Sequence, residues 1–193
     1  MKIIYKLILI TFIILLIDKT YAQTCKIGSK DVCEGCYISH NKYKTMYSLT
    51  PKMVKKLKKR ANKNHLTSIY VMGLRTKEYD LKSAILWFKK GSELNSPLCI
   101  FMLGKIYWDK KNIPMSIKYF EKTAEMGDFS SQLRTGLLYA RYEFEKHPIK
   151  NWKDKAIFWL TLSVEQGLGK YSSDEMKQMH RSAKNILKKL ETE

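Results

Sequence analysis

The chain has 193 residues, 45% of them hydrophobic and 28% charged, with 36 Lys+Arg against 18 Asp+Glu and a formal net charge of +18. That length suits one domain with a core of its own, without metals or dense disulfides. Nine Gly and four Pro exclude a collagen-like or low-complexity chain, and 12% aromatic residues argue against global disorder.

Residues 1–22 read as a signal peptide. Lys2 and Lys6 open it, Leu7 to Ile17 is an apolar run broken only by Thr11, and Asp18 to Ala22 turns polar and ends small. Eleven apolar residues make about 16 Å of helix, short of a ~30 Å hydrocarbon core. The alternative is an uncleaved anchor, because Thr20 is an imperfect partner for Ala22 at the cut. Cleavage would leave a net charge of +16 over 171 residues. The expected location is the periplasm or the exterior. Nucleic acid is the usual partner of so basic a chain, but an exported protein rarely meets it. Anionic lipid, saccharide or an acidic protein surface fits that compartment better. The alternative is that Lys merely fills solvated positions.

Residues 23–49 hold Cys25, Cys33 and Cys36; Cys99 lies far along the chain. An even count in an exported protein suggests disulfides, and four cysteines allow three pairings. One bond from this segment to Cys99 and one closing a local loop is the expected arrangement, with a buried free Cys99 as the alternative. Cys33-Glu34-Gly35-Cys36 has CxxC spacing. Redox motifs of that kind open a helix after a strand, and no such strand reads here. Zinc would need a fourth ligand, Cys99 or His40, and an oxidising compartment favours bridges.

Residues 50–64 form a basic capping helix. Thr50-Pro51 opens it, with Pro at the first helical position. It carries Lys52, Lys55, Lys56, Lys58, Lys59, Arg60 and Lys63, and a thin stripe of Met53, Val54 and Leu57 to dock on the first repeat. Lys52, Lys55, Lys56, Lys59 and Arg60 are the candidate electrostatic contacts with a partner.

Residues 65–172 contain a repeat. Ala84 to Asn95, Ser116 to Gly127 and Ala156 to Gly167 align without gaps. Each begins with a small residue (Ala84, Ser116, Ala156). Its fourth and fifth positions are Trp87-Phe88, Tyr119-Phe120 or Trp159-Leu160. A second small residue, Gly91, Thr123 or Ser163, comes next on the same helical face. Asn95, Gly127 and Gly167 suit the left-handed conformation that ends a helix. A partner helix carries Leu103-Gly104 with Tyr107, then Thr135-Gly136 with Tyr139, and more weakly Met72-Gly73. A mid-helix Gly costs about 1 kcal/mol against Ala, so its recurrence implies close helix crossing. Ala156 follows Ser116 by 40 residues where Ser116 follows Ala84 by 32. The extra stretch near residues 143–151 is expected to lengthen a helix or loop. Residues 173–193 form a C-terminal capping helix, opened by Ser173-Asp174-Glu175, with Met176, Met179, Ala183, Ile186, Leu187 and Leu190 on one side.

These residues resemble the Sel-one-like repeat, a relative of the tetratricopeptide repeat, over about residues 65 to 191. Residues 84–95, 103–107, 116–127 and 136–139 carry the resemblance best, with Thr135 standing where the pattern has Leu. The resemblance implies an all-α solenoid of antiparallel helix pairs in a right-handed superhelix, with about three repeats between terminal caps. Periodicity alone implies stacked helical hairpins. The resemblance further implies a protein-binding groove, and its exported relatives include immunity proteins against antibacterial effectors.

No catalytic motif reads from the chain: there is no HExxH, GxSxG or Walker loop, and His40, His65, His147 and His180 lack metal spacing. No enzyme activity, cofactor or metal is expected. The expected partner is an acidic protein, a toxin or an envelope component, bound by a monomer. Contact of the basic helix with an anionic membrane is the second reading.

Overall fold

The computed structural model describes residues 49–142, 151–168 and 173–192. The signal segment with Cys25, Cys33 and Cys36 lies outside the described residues. Eight helices succeed one another among those described: α1 Pro51–Asn62, α2 Leu66–Lys77, α3 Leu81–Glu93, α4 Pro97–Asp109, α5 Ile113–Glu125, α6 Phe129–Tyr142, α7 Trp152–Gln166 and α8 Asp174–Thr192. The first five connections, from α1 to α6, are three residues each. Connections that short fold each helix back on the one before. Consecutive helices pack throughout, and α8 also reaches α6. None of these helices is long and apolar enough to cross a membrane.

Local chemistry sets each boundary. Thr50, Asp80 and Asn112 accept hydrogen bonds from the backbone N–H of Met53, Ser83 and Met115 at 3.3, 3.0 and 3.2 Å. Asp128 does the same for Ser131 at 2.7 Å. These side chains satisfy N–H groups that the helix leaves orphaned. At the other end, Asn64, Asn95, Lys111 and Gly127 take φ between 55° and 83°. The residue after each returns its N–H to a carbonyl five back: His65 to Arg60, Ser96 to Gly91, Asn112 to Tyr107 and Asp128 to Thr123. That is the Schellman closure, used four times.

Two lysine contacts show what α1 is. Lys90 Nζ donates to the carbonyl of Ala61 at 2.9 Å, and 32 residues on, Lys122 Nζ lies 3.5 Å from that of Ser92. Each lysine neutralises the last carbonyls of the preceding hairpin's second helix, where the dipole favours a cation. The basic cap is therefore a second-type helix of a leading half repeat. It docks through Val54, Leu57 and the wholly buried Ala61, whereas Met53, expected in that stripe, is 52% exposed.

Three crossings hold the hairpins together. A Cβ added at Gly104 would stand 2.7 Å from the Phe120 ring, and one at Gly136 would stand 2.7 Å from the Leu160 side chain and 2.9 Å from its backbone N. Gly73 meets Phe88 in the same way. Ala84, Ser116 and Ala156 have no exposed surface, and Ser116 Oγ donates to the Gly104 carbonyl at 3.0 Å. Phe88, Phe120 and Leu160 are at most 2% exposed, so they are the core centres of successive units. The extra residues before the third unit fall between Tyr142 and Trp152; residues 143–150 lie outside the described residues.

Gly104→Leu and Gly136→Leu are each expected to destabilise by about 3 kcal/mol or more through overpacking, read as lowered thermal midpoints. The second variant should be the worse, because backbone as well as side chain blocks its Cβ.

Candidate functional site

The hairpins present two faces, and each holds a cleft. On the second-helix side a cleft of about 600 Å³ is lined by Tyr119, Glu121, Lys122 and Tyr139. Lys155 Nζ donates to Tyr139 OH at 3.0 Å and to Glu121 Oε1 at 3.3 Å, and Tyr139 OH lies 3.1 Å from that same oxygen. Burial pushes the Tyr139 hydroxyl above its ordinary range, and the hydrogen bond to Tyr139 holds the Lys155 ammonium up. Both shifts fix the resting protonation states at neutral pH. The cluster is a clasp between α5, α6 and α7.

The second cleft is a groove of about 660 Å³ between α6 and α8, with Trp108 of α4 also in its lining. Its floor is apolar, with Leu137 and Leu138 from α6 and Met179, Ile186 and Leu190 from α8. Its rim is cationic, with Arg134, Arg141 and Lys189 against one carboxylate, Glu175. Residues 134, 137, 138 and 141 form one helical stripe, and residues 175, 179, 182 and 186 form the facing one. Arg134 Nη2 pairs with Glu175 Oε1 at 3.1 Å, while its Nε has no hydrogen-bond partner.

The residues singled out from sequence fall into distinct places. Trp159 and Tyr139 are core, at 6% and 2% exposure, whereas Trp87, Tyr107 and Tyr119 are half-buried on the flank. Tyr107 and Tyr119 stack with centroids 5.5 Å apart, and Lys90 Nζ lies 5.9 Å from the Trp87 ring. Gly127 and Gly167 close α5 and α7 with φ of 83° and 71°. Lys52, Lys55, Lys56, Lys59 and Arg60 are all exposed on α1, away from the groove's lining. Arg60 Nη2 also meets His65 Nε2 at 2.6 Å, so it is engaged within the molecule. Among the described residues no group of His, Cys, Asp and Glu could hold a metal.

Cys99 is a free, buried thiol in the structure, and the cysteines expected to bridge it, Cys25, Cys33 and Cys36, lie outside the described residues. It has no exposed surface, and a Cβ added at Gly91 would overlap its Sγ. Gly91 makes room for it as Thr123 does for Ser131 one repeat later, where the two hydroxyls bond at 2.6 Å. A cysteine in that seat acts as a small hydrophobe. Burial pushes its thiol up to about 11, against a weaker opposing pull from a hydrogen bond with Ser96.

The groove itself does not read from sequence, although it leaves a signal there. Aligned on the crossing glycines, Val71 and Met102 precede Arg134, Leu74 and Lys105 precede Leu137, and Glu78 and Asp109 precede Arg141. The third unit differs in kind from both earlier ones at two of the positions that line the groove, Arg134 and Arg141. His180 anchors the α8 wall. It is 5% exposed, its ring lies 6.0 Å from Phe129, and its Nδ1 has no hydrogen-bond partner. Burial, aided by Lys184, holds its pKa below the ordinary imidazole range.

Two outcomes are expected of these buried groups. Cys99 should resist thiol reagents in the native protein at about pH 8 and react on unfolding, checked by mass spectrometry of its peptide. A Cys99 disulfide in a non-reducing peptide map would contradict this. Because the His180 pKa is lowered on folding, the unfolded chain binds the proton first as pH falls. Stability from this site is full above about pH 6.5 and declines below it toward the folded-state pKa. His180→Phe should flatten that decline in urea melts recorded between about pH 7 and 5.

No family model and no curated protein matches the chain. Among solved structures, a Sel1 repeat protein from Oxalobacter formigenes superposes on 72% of this chain with a TM-score of 0.51 and 19% identity. The match takes in 64% of that protein, so the chain spans just under two thirds of its length. With the glycine crossings, the repeated closures and the register of α1 to α7 in view, the described residues form a Sel1-like repeat fold, an all-α solenoid of stacked hairpins.

Proposed function

We propose that this chain is an exported binding module that seats an acidic protein in the groove between α6 and α8. One observation carries the reading. The groove joins an apolar floor to a cationic rim, and Arg134 and Arg141 on that rim stand where the first two hairpins carry apolar and acidic residues. Function on repeat scaffolds lives in side chains grafted onto them. The net charge, +16 once residues 1–22 are removed, would steer an acidic partner toward the protein and quicken capture. Export rests on the signal-like segment 1–22. Within that reading the role is immunity: neutralising an antibacterial effector delivered into the periplasm, by binding rather than catalysis, with no cofactor and as a monomer.

The exposed lysines of α1, a helix without a single acidic residue, favour a second reading. In it the protein is held on an anionic membrane face at about 1 kcal/mol per Lys near the surface. Affinity purification from the periplasm separates the two. The groove reading expects a stoichiometric acidic protein that survives about 0.5 M salt and is lost with Leu137→Asp. Retention on anionic vesicles at low salt, with no protein partner and full release at high salt, would establish the membrane reading instead.

A further inference from the structure

We infer that the groove recognises a carboxylate on its partner and that Arg134 takes it, with a partner helix laying its apolar face along Leu137, Met179 and Ile186. This rests on the groove being the binding face proposed above. Arg134 occupies a register that the earlier hairpins fill with Val71 and Met102, so a guanidinium has entered an apolar row. Its side chain is only 19% exposed, and Nε has no acceptor. A guanidinium offers five donors in a fixed fork, and this one is partly spent. Its present partner, Glu175, is 67% exposed and meets it through one oxygen at 3.1 Å. A single contact whose carboxylate is solvent-exposed is weak, so exchange for a partner's carboxylate costs little. A carboxylate seated inside the groove can bridge Nε and Nη2 together, the bidentate form that makes Arg–carboxylate contacts strong.

The walls say what carries that carboxylate. The α6 stripe repeats at three and four residues and the α8 stripe runs from residue 175 to 186. Those ridges, spanning about 16 Å, match the surface of a third helix about three turns long. Arg141 and Lys189 add positive charge along the same rim. The fitting occupant is an amphipathic helix with leucine-like residues on one face and Asp or Glu beside them.

The test titrates the full processed chain calorimetrically with two helical peptides of about twelve residues. They share a leucine stripe and differ only in carrying Glu or Gln beside it. The Glu peptide should bind about ten- to hundred-fold tighter. Arg134→Gln should erase that difference. Glu175→Gln, which removes the competing carboxylate, should tighten the Glu peptide; a mere structural role for the Arg134–Glu175 pair would weaken both. Leu137→Asp should weaken both peptides, with circular dichroism confirming that each variant is folded. Equal binding of the two peptides, or a difference that persists in Arg134→Gln, overturns the inference. If the peptides bind alike and Leu137→Asp abolishes both, the groove reading stands and the carboxylate anchor falls. If neither peptide binds at millimolar concentration, or Leu137→Asp changes neither, both fall.

Discussion

One contact organises the molecule: a glycine in the first helix of each hairpin lying against the large fifth-position side chain of the second. Gly73 with Phe88, Gly104 with Phe120 and Gly136 with Leu160 are the same crossing made three times. A missing Cβ lets two backbones approach, and the space goes to an aromatic ring or a leucine that becomes the centre of a core unit. Such crossings offset the propensity cost of glycine in a helix through packing density. Because each unit covers only its neighbours, the array needs an end on both sides. At the N-terminal end α1 supplies a half repeat, tied down by Lys90 on its last carbonyls. At the other end α8 lays His180, Ala183 and Leu190 against the last hairpin.

The groove is a consequence of that arrangement. First-type helices line one side of the stack, and where α8 leans on α6 their stripes stand apart. The rim charges there are substitutions into the repeat rather than additions to it. Arg134 replaces an apolar residue and Arg141 replaces an acid, while Leu137 shares its register with Leu74 and Lys105. The charge of the chain therefore divides into kinds. Lys90 and Lys122 bind helix ends, Lys155 belongs to the clasp with Tyr139 and Glu121, and the lysines of α1 face solvent.

Much of the fold is legible in the residues alone, and the exceptions have physical causes. Helix starts at Thr50, Asp80 and Asn112 depend on side-chain chemistry within four residues, so sequence suffices for them. The half-buried state of Trp87, Tyr107 and Tyr119 is not legible in this way, because an aromatic at a fixed register can face either the neighbouring unit or its flank. Cys99 reads as a disulfide partner from composition alone; that Gly91 opens a seat for it depends on the approach of α3 to α4. The recurring Glu93, Glu125 and Glu165 are exposed, and nothing in the structure explains their position.

The sequence by itself determined the helices, their closures, the positions of the tight crossings and hence the stacked-hairpin class, since each depends on contacts within one repeat length. Only the tertiary structure decided the groove. Its walls come from residues some forty positions apart, and whether Arg134 and Ile186 share a cleft depends on the angle at which α8 docks on α6 and α7. That angle is set by the summed packing of several side chains, which no local pattern encodes.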